Sequence, residues 1–138
     1  MNKKIFVNLP VKDIEVTEKF YTALGFVKNP TFSNGDAVSM VWQENIIFMF
    51  LKHDFYKNFI LDKNIIDAKK TSGALISLEM SSKEEVQNFA DIAKANGGDY
   101  FMAEYNKQYN FMFTYEVSDP DGNVFEPVYM DMSKFNQN

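Results

Sequence analysis

Residues Ile5 to Val11 alternate with a period of two, placing Phe6, Asn8 and Pro10 on one side and Ile5, Val7 and Leu9 on the other, the pattern of a strand. Asp13 then stands at an N-cap position. Ile14, Thr17, Phe20, Tyr21 and Leu24 follow at helical spacing, and Gly25 is placed to close the helix. Beyond Asn29-Pro30, strands are predicted over Ala37 to Gln43 and Ile46 to Leu51, with Glu44-Asn45 short enough for a hairpin turn. The order then repeats. Ala74 to Met80 alternates as a strand, and Ser82 with Glu85 forms a capping box. Val86, Phe89, Ala90 and Ala93 make a helical stripe ending at Gly97-Gly98, and strands are expected over Phe111 to Val117 and Val124 to Met130.

A shift of 69 lays Leu9 on Leu78, Asp13 on Ser82 and Phe20 on Phe89, so the chain reads as an internal duplication. Between the halves, Phe55, Phe59 and Ile60 have helical spacing. A connecting helix over Asp54 to Ile60 and a further short turn over Ile65 to Lys69 are expected. The organisation is module 1 over about residues 1–52, a helical connector over 53–72 and module 2 over 73–138, together one domain of 138 residues.

Composition narrows the chemistry. With 46% apolar and 16% aromatic residues the chain can fill one sizeable core or line an aromatic cavity. It has no Cys, which excludes disulfides, thiolate metal sites and a Cys nucleophile, and fits a reducing cytoplasm. All 14 basic residues are Lys, so no guanidinium fork exists to grip a carboxylate or phosphate in two places. A net charge of -5 without a basic run argues against nucleic acid. The N-terminal apolar run is broken by Asn8 and Pro10 and does not read as a signal peptide, and Ile46 to Leu51 is too short to cross a bilayer. A cytoplasmic protein without membrane contact is the expectation. His53 is the single histidine, which rules out mechanisms needing two imidazoles in one chain. At the entry to a helix, beside Lys52 and Asp54, it reads as a surface residue.

Two stretches carry a resemblance. "VNLPVKDIEVTEKFYTALGF" near the start and "DPDGNVFEPVY" near the end resemble the vicinal oxygen chelate superfamily, the glyoxalase, bleomycin-resistance and extradiol-dioxygenase group, over nearly the whole chain. The resemblance implies an α+β fold of two βαβββ modules whose curled sheets form a cleft, commonly in a homodimer. It also implies metal-ligand positions on the first and last strands of each module. Carried over, these fall on Phe6, on Leu75 by the shift of 69, on Glu126, and on Phe48 by aligning "ENIIF" with "GNVFE". Three of the four are apolar and supply no donor, so no metal and no cofactor are expected.

Glu126 is then a cleft-facing acid that binds ligand or acts as a base, or else a structural hydrogen-bonding group. Asn8, a polar amide in an apolar strand, needs a partner that a cleft would supply. Trp42, Tyr105, Tyr109, Phe111 and Phe113 either line the cleft with flat rings or fill the sheets. The carboxylates of Asp119-Pro120-Asp121-Gly122 read as turn-formers. The expected ligand-binding set is therefore Phe6, Asn8, Trp42, Phe48, Leu75, Tyr109, Phe111 and Glu126, with Glu126 as the catalytic candidate. The function it points to is metal-free binding of a small organic molecule. The alternatives are a metal-dependent lyase of the lactoylglutathione-lyase type, a metal-free enzyme with Glu126 as base, and a scaffold with a vestigial cleft.

Overall fold

The computed structural model describes residues 2–137; the outermost residues of the expected domain, Met1 and Asn138, lie outside the described residues. The chain divides into two units at Thr71–Ser72. The connector expected between two modules packs with the first, where its helix meets β1 and β4.

The first unit runs β1 (Ile5–Val11), α1 (Ile14–Ala23), β2 (Val27–Lys28), β3 (Ala37–Gln43), β4 (Ile46–Lys52) and α2 (His53–Tyr56). Asp13 caps α1 as its spacing predicts, accepting from the backbone N–H of Glu15 at 2.9 Å and Val16 at 3.1 Å. The helix ends at Gly25, whose φ of 97° is a left-handed conformation that costs glycine little. Its N–H reaches the Thr22 carbonyl at 3.0 Å. The strands form a sheet in the order β1-β4-β3-β2, with β1 and β4 parallel. Phe20 and Tyr21 press from α1 onto one face of it. The Tyr21 ring stacks on Phe50 at 4.2 Å, and Phe26 meets Phe48 edge-on at 5.8 Å. This is the core of the unit, and Val11, Val38 and Met40 complete it.

The second unit runs β5 (Leu75–Glu79), α3 (Lys83–Ala95), β6 (Asp99–Phe101), β7 (Met112–Thr114), β8 (Glu116–Ser118) and β9 (Val124–Met130). Its sheet is ordered β5-β9-β8-β6, with β7 also paired to β9. Val86, Phe89, Ala90 and Ala93 are buried along α3, and Leu78, Val117, Phe125 and Pro127 fill the sheet face beneath. Each unit is thus a βαβββ module, and the α+β class holds.

Four local expectations need correction. The single strand over Phe111 to Val117 is two strands, because Tyr115 faces Pro127, which has no N–H to continue the ladder. In the capping box, Ser82 accepts from Glu85 N–H at 3.1 Å as expected. The Glu85 carboxylate, however, takes the hydroxyl and N–H of Ser81, and those bonds hold it below the usual carboxylate range. The connecting helix is one α-turn, His53–Tyr56, followed by a 3-10 turn, Lys57–Phe59. The later turn is closed by Lys70 and Thr71 N–H on the Asp67 carbonyl, slightly beyond the expected span. The edge strands β2 and β6 went unanticipated, being too short for a visible alternation. Among the described residues no helix is long and apolar enough to cross a membrane.

Candidate functional site

In the second sheet, Val117 and Phe125 sit on the face covered by α3, so Glu116, Ser118, Val124 and Glu126 occupy the far face. The turn that joins β8 to β9 sets their register. Asp119 accepts from the N–H groups of Asp121 and Asn123, each at 2.9 Å, and from the Asn123 side chain at 3.0 Å. The carboxylate of this turn is therefore spent on the turn, as its sequence implied. The register that pairs Val117 with Phe125 and Thr114 with Val128 sets Glu116 opposite Glu126. On the other side of β9, Ser77 pairs with Glu126, and its hydroxyl donates to Glu126 Oε1 at 2.7 Å.

Two carboxyl groups thus meet across the ladder. Burial, then the hydrogen bond to Glu126 and its charge, push the Glu116 carboxyl up to about 7. Among the described residues no N–H or hydroxyl group donates to the buried Glu116 Oε2, which leaves Glu126 as the partner of this carboxyl. Beside it lies a pocket of about 190 Å³ lined by Asp99, Tyr100, Phe101, Glu116, Ser118 and Val124. Phe101 pairs with Glu116, and Asp99 with Ser118, so both project from β6 onto the same far face. The arrangement sets an acidic wall beside a flat ring.

The expected residues divide. Phe6 and Asn8 lie on the far face of the first sheet, and Leu75 lies with Glu126 on that of the second. Phe6 is 56% and Leu75 59% exposed. Asn8 is exposed to water, which meets its need for a partner. Phe48 is a correction: it is 1% exposed, against Phe26 in the helix-side core. Asn8 pairs with Met49 as Ser77 pairs with Glu126, so the first-module counterpart of Glu126 is Met49. A one-residue slip moves a side chain to the opposite face.

Phe113 in β7 has its ring 5.9 Å from the Lys83 ammonium at the start of α3. Tyr109 lies ahead of β7, as does Phe111. Its ring meets Tyr109 at 5.9 Å and Phe135 at 5.0 Å, a cluster that Tyr105 extends. Tyr115 donates its hydroxyl to Gln87 on α3 at 2.7 Å, filling the module rather than lining a site. Trp42 is half-buried where β3 bulges between Val41 and Gln43. His53 opens α2.

The positions that the resemblance assigns to metal ligands therefore read Phe6, Met49, Leu75 and Glu126. A divalent ion needs several converging nitrogen or oxygen donors. These positions supply one carboxylate, already engaged by Ser77. Among the described residues no three His, Cys, Asp or Glu side chains gather as a metal would require. The residues present do not fit the metal.

Sequence reasoning missed Ser77, Glu116 and Phe101. A usable signal existed for Glu116: Asp121 lies midway between Glu116 and Glu126, so a hairpin centred on it brings the two acids together. Ser77 shares the alternation of Leu75 in the same strand. Nothing comparable marks Phe101, whose three-residue strand is positioned only by pairing with β8.

No protein-family model and no curated protein sequence matches the chain. Solved structures do. A glyoxalase/bleomycin resistance protein/dioxygenase family enzyme from Burkholderia phytofirmans PsJN aligns with a TM-score of 0.72 at 22% identity, over 91% of this chain and 96% of that one. A hypothetical protein from S. aureus aligns with a TM-score of 0.71 at 21% identity, over 94% of each chain. The bleomycin resistance determinant encoded on transposon Tn5 aligns with a TM-score of 0.58 at 18% identity, over 94% of this chain and 98% of that one.

Proposed function

We propose that this chain, which has the fold of the vicinal oxygen chelate superfamily, binds a small organic molecule without a metal. One observation carries the reading. Where the fold places metal ligands, this chain has Phe6, Met49 and Leu75, and its one remaining acid, Glu126, is joined to Ser77 and faces Glu116. Apolar side chains cannot replace the hydration shell of a divalent ion. The far face of each unit carries apolar area with a few polar groups, the features by which organic ligands are recognised.

Elemental analysis and native mass spectrometry of protein purified without chelator test the reading. The expected result is no stoichiometric metal, and thermal stabilisation by organic ligands that weakens in Glu126→Gln. Stoichiometric Zn, Ni, Mn or Fe that disappears in Glu126→Gln would overturn it and restore a metal-dependent lyase. That lyase would also have to hold a glutathione carboxylate without any Arg.

The carboxyl pair favours a second reading, proton transfer with Glu126 as base, because Glu116 exchanges its proton near neutral pH. Turnover of an identified ligand, lost in Glu126→Gln with binding retained, would select it. The proposal also includes a homodimer, which light scattering at micromolar concentration tests; a monomer mass would count against it.

A further inference from the structure

We propose that Asn34-Gly35, in the exposed bend before β3, is a self-modification site. The Gly35 nitrogen closes on the Asn34 side-chain amide, ammonia leaves, and water opens the resulting cyclic imide to aspartate or isoaspartate. The chemistry needs only water and is independent of any ligand.

Three steps in the chain join an Asn or Asp to Gly: Asn34-Gly35, Asn96-Gly97 and Asp121-Gly122. Glycine carries no Cβ to shield its nitrogen from the preceding side chain, so by sequence the three are alike. The fold separates them. At the end of α3, Asn96 Nδ2 donates back to the Ile92 carbonyl at 2.7 Å, which holds that amide along the helix. At Asp121, the Gly122 N–H is spent on the Asp119 carbonyl at 3.0 Å. Gly35 has neither restraint. Among the described residues nothing accepts from its N–H, and a Cβ built on it would meet no atom within 4 Å.

The Asn34 side chain is folded forward over the backbone that follows it. Its Oδ1 accepts from the N–H groups of Asp36 at 2.8 Å and Ala37 at 3.1 Å, and the Asn34 N–H braces the bend on the Ala37 carbonyl at 2.9 Å. The ring closed by the Asp36 bond contains both the amide carbon and the Gly35 nitrogen. When that nitrogen adds to Asn34 Cγ, its proton passes to hydroxide and negative charge gathers on Oδ1. Two donors already stand there at the distances of an oxyanion hole, and donors placed in advance lower the barrier. The Cγ–Nδ2 bond then breaks, and the nitrogen takes a proton from water and leaves as ammonia. Water adds to either imide carbonyl. One product is aspartate; the other is isoaspartate, whose main chain runs through the former side chain.

Both products place a carboxylate beside Asp36 where a neutral amide stood. Isoaspartate also adds a methylene to the main chain just ahead of β3, where the Asp36 carbonyl accepts from Lys52 N–H at 2.8 Å and closes the end of the sheet.

The test is peptide mapping by tandem mass spectrometry of the full chain incubated at pH 8, folded and in urea. In the folded protein Asn34 should convert at least about tenfold faster than Asn96, the ratio given by a barrier difference of about one hydrogen bond. It should also convert faster than in urea, where the two donors are lost, and yield both aspartate and isoaspartate. Gly35→Ala, which the open space accommodates, should slow conversion at Asn34 and leave the rate at Asn96 unchanged. An Asn34 that stays intact, converts no faster than Asn96, or converts faster in urea than when folded would overturn the assignment. Aspartate without isoaspartate would replace the imide by direct hydrolysis, and an unchanged rate in Gly35→Ala would remove the Gly35 nitrogen as the attacking atom.

Discussion

The two modules share a helix side and differ on the far side. In each, a capped helix lays an apolar stripe on the sheet: Phe20 and Tyr21 over Phe48 and Phe50 in the first, Val86, Phe89 and Ala90 over Val117 and Phe125 in the second. On the other face the first module presents Phe6, Asn8, Ile47 and Met49, while the second presents Leu75, Ser77, Glu116 and Glu126. The difference separates two constraints. The helix side must exclude water to fold, so its residues are bound to size and apolarity in both copies. The far side is held to that demand only in part, with Phe6 and Asn8 exposed but Ile47 and Leu51 buried, and there the copies diverge in chemistry.

The largest effect should come from violating the shared side. Phe50→Ala, which empties the ring stack under Tyr21, should cost about 3–5 kcal/mol in denaturant unfolding. Phe6→Ala, on an exposed ring of the same sheet, should cost less than about 1 kcal/mol. Equal costs would mean that the two faces are not distinct in energy.

The far side of the second module should show a pH signature that the first lacks. Glu116 is raised by burial and by Glu126 to about 7 in the folded protein, above its ordinary value of 4.5. The folded state therefore binds the proton more tightly than the unfolded one. Its stabilising contribution is complete below pH 4.5 and is lost as pH rises through about 7. Glu116→Gln keeps the shape and has no proton to lose. It should be more stable than the parent at pH 8 by on the order of 1–2 kcal/mol, a figure reduced from the full shift because the group is partly screened by solvent. Near pH 4 the two should coincide. A difference that does not vary with pH would remove the carboxyl pair from the account.

The smallest expected effect compares the helix starts. Asp13 serves two N–H groups and Ser82 serves one. Asp13→Ala should cost about 1 kcal/mol and Ser82→Ala somewhat less, measured at neutral pH in the same background. A reversed order would show that the Glu85–Ser81 contact depends on Ser82 more than its geometry implies.

Much of this molecule was settled by the order of its residues. Asp13, Gly25, Ser82 and Gly97 mark where helices begin and end through local hydrogen bonds and backbone sterics, which need no distant partner. The duplication, the apolar stripes and the Asp119 turn are likewise short-range patterns. Face and neighbour were decided only by the fold. Phe48 and Met49 are adjacent and both apolar, and pairing of β4 with β1 alone puts Phe48 in the core and Met49 beside Asn8. Tyr109 and Phe111 fit an aromatic site by composition, but only the fold joins the Phe111 ring to Tyr109 and Phe135. Glu116 acquires its partner because the β8–β9 register sets it against Glu126, and Phe101 comes beside it through the pairing of β6 with β8. Strand alternation has a period of two, so one residue of register exchanges the faces, and register is a property of two strands together.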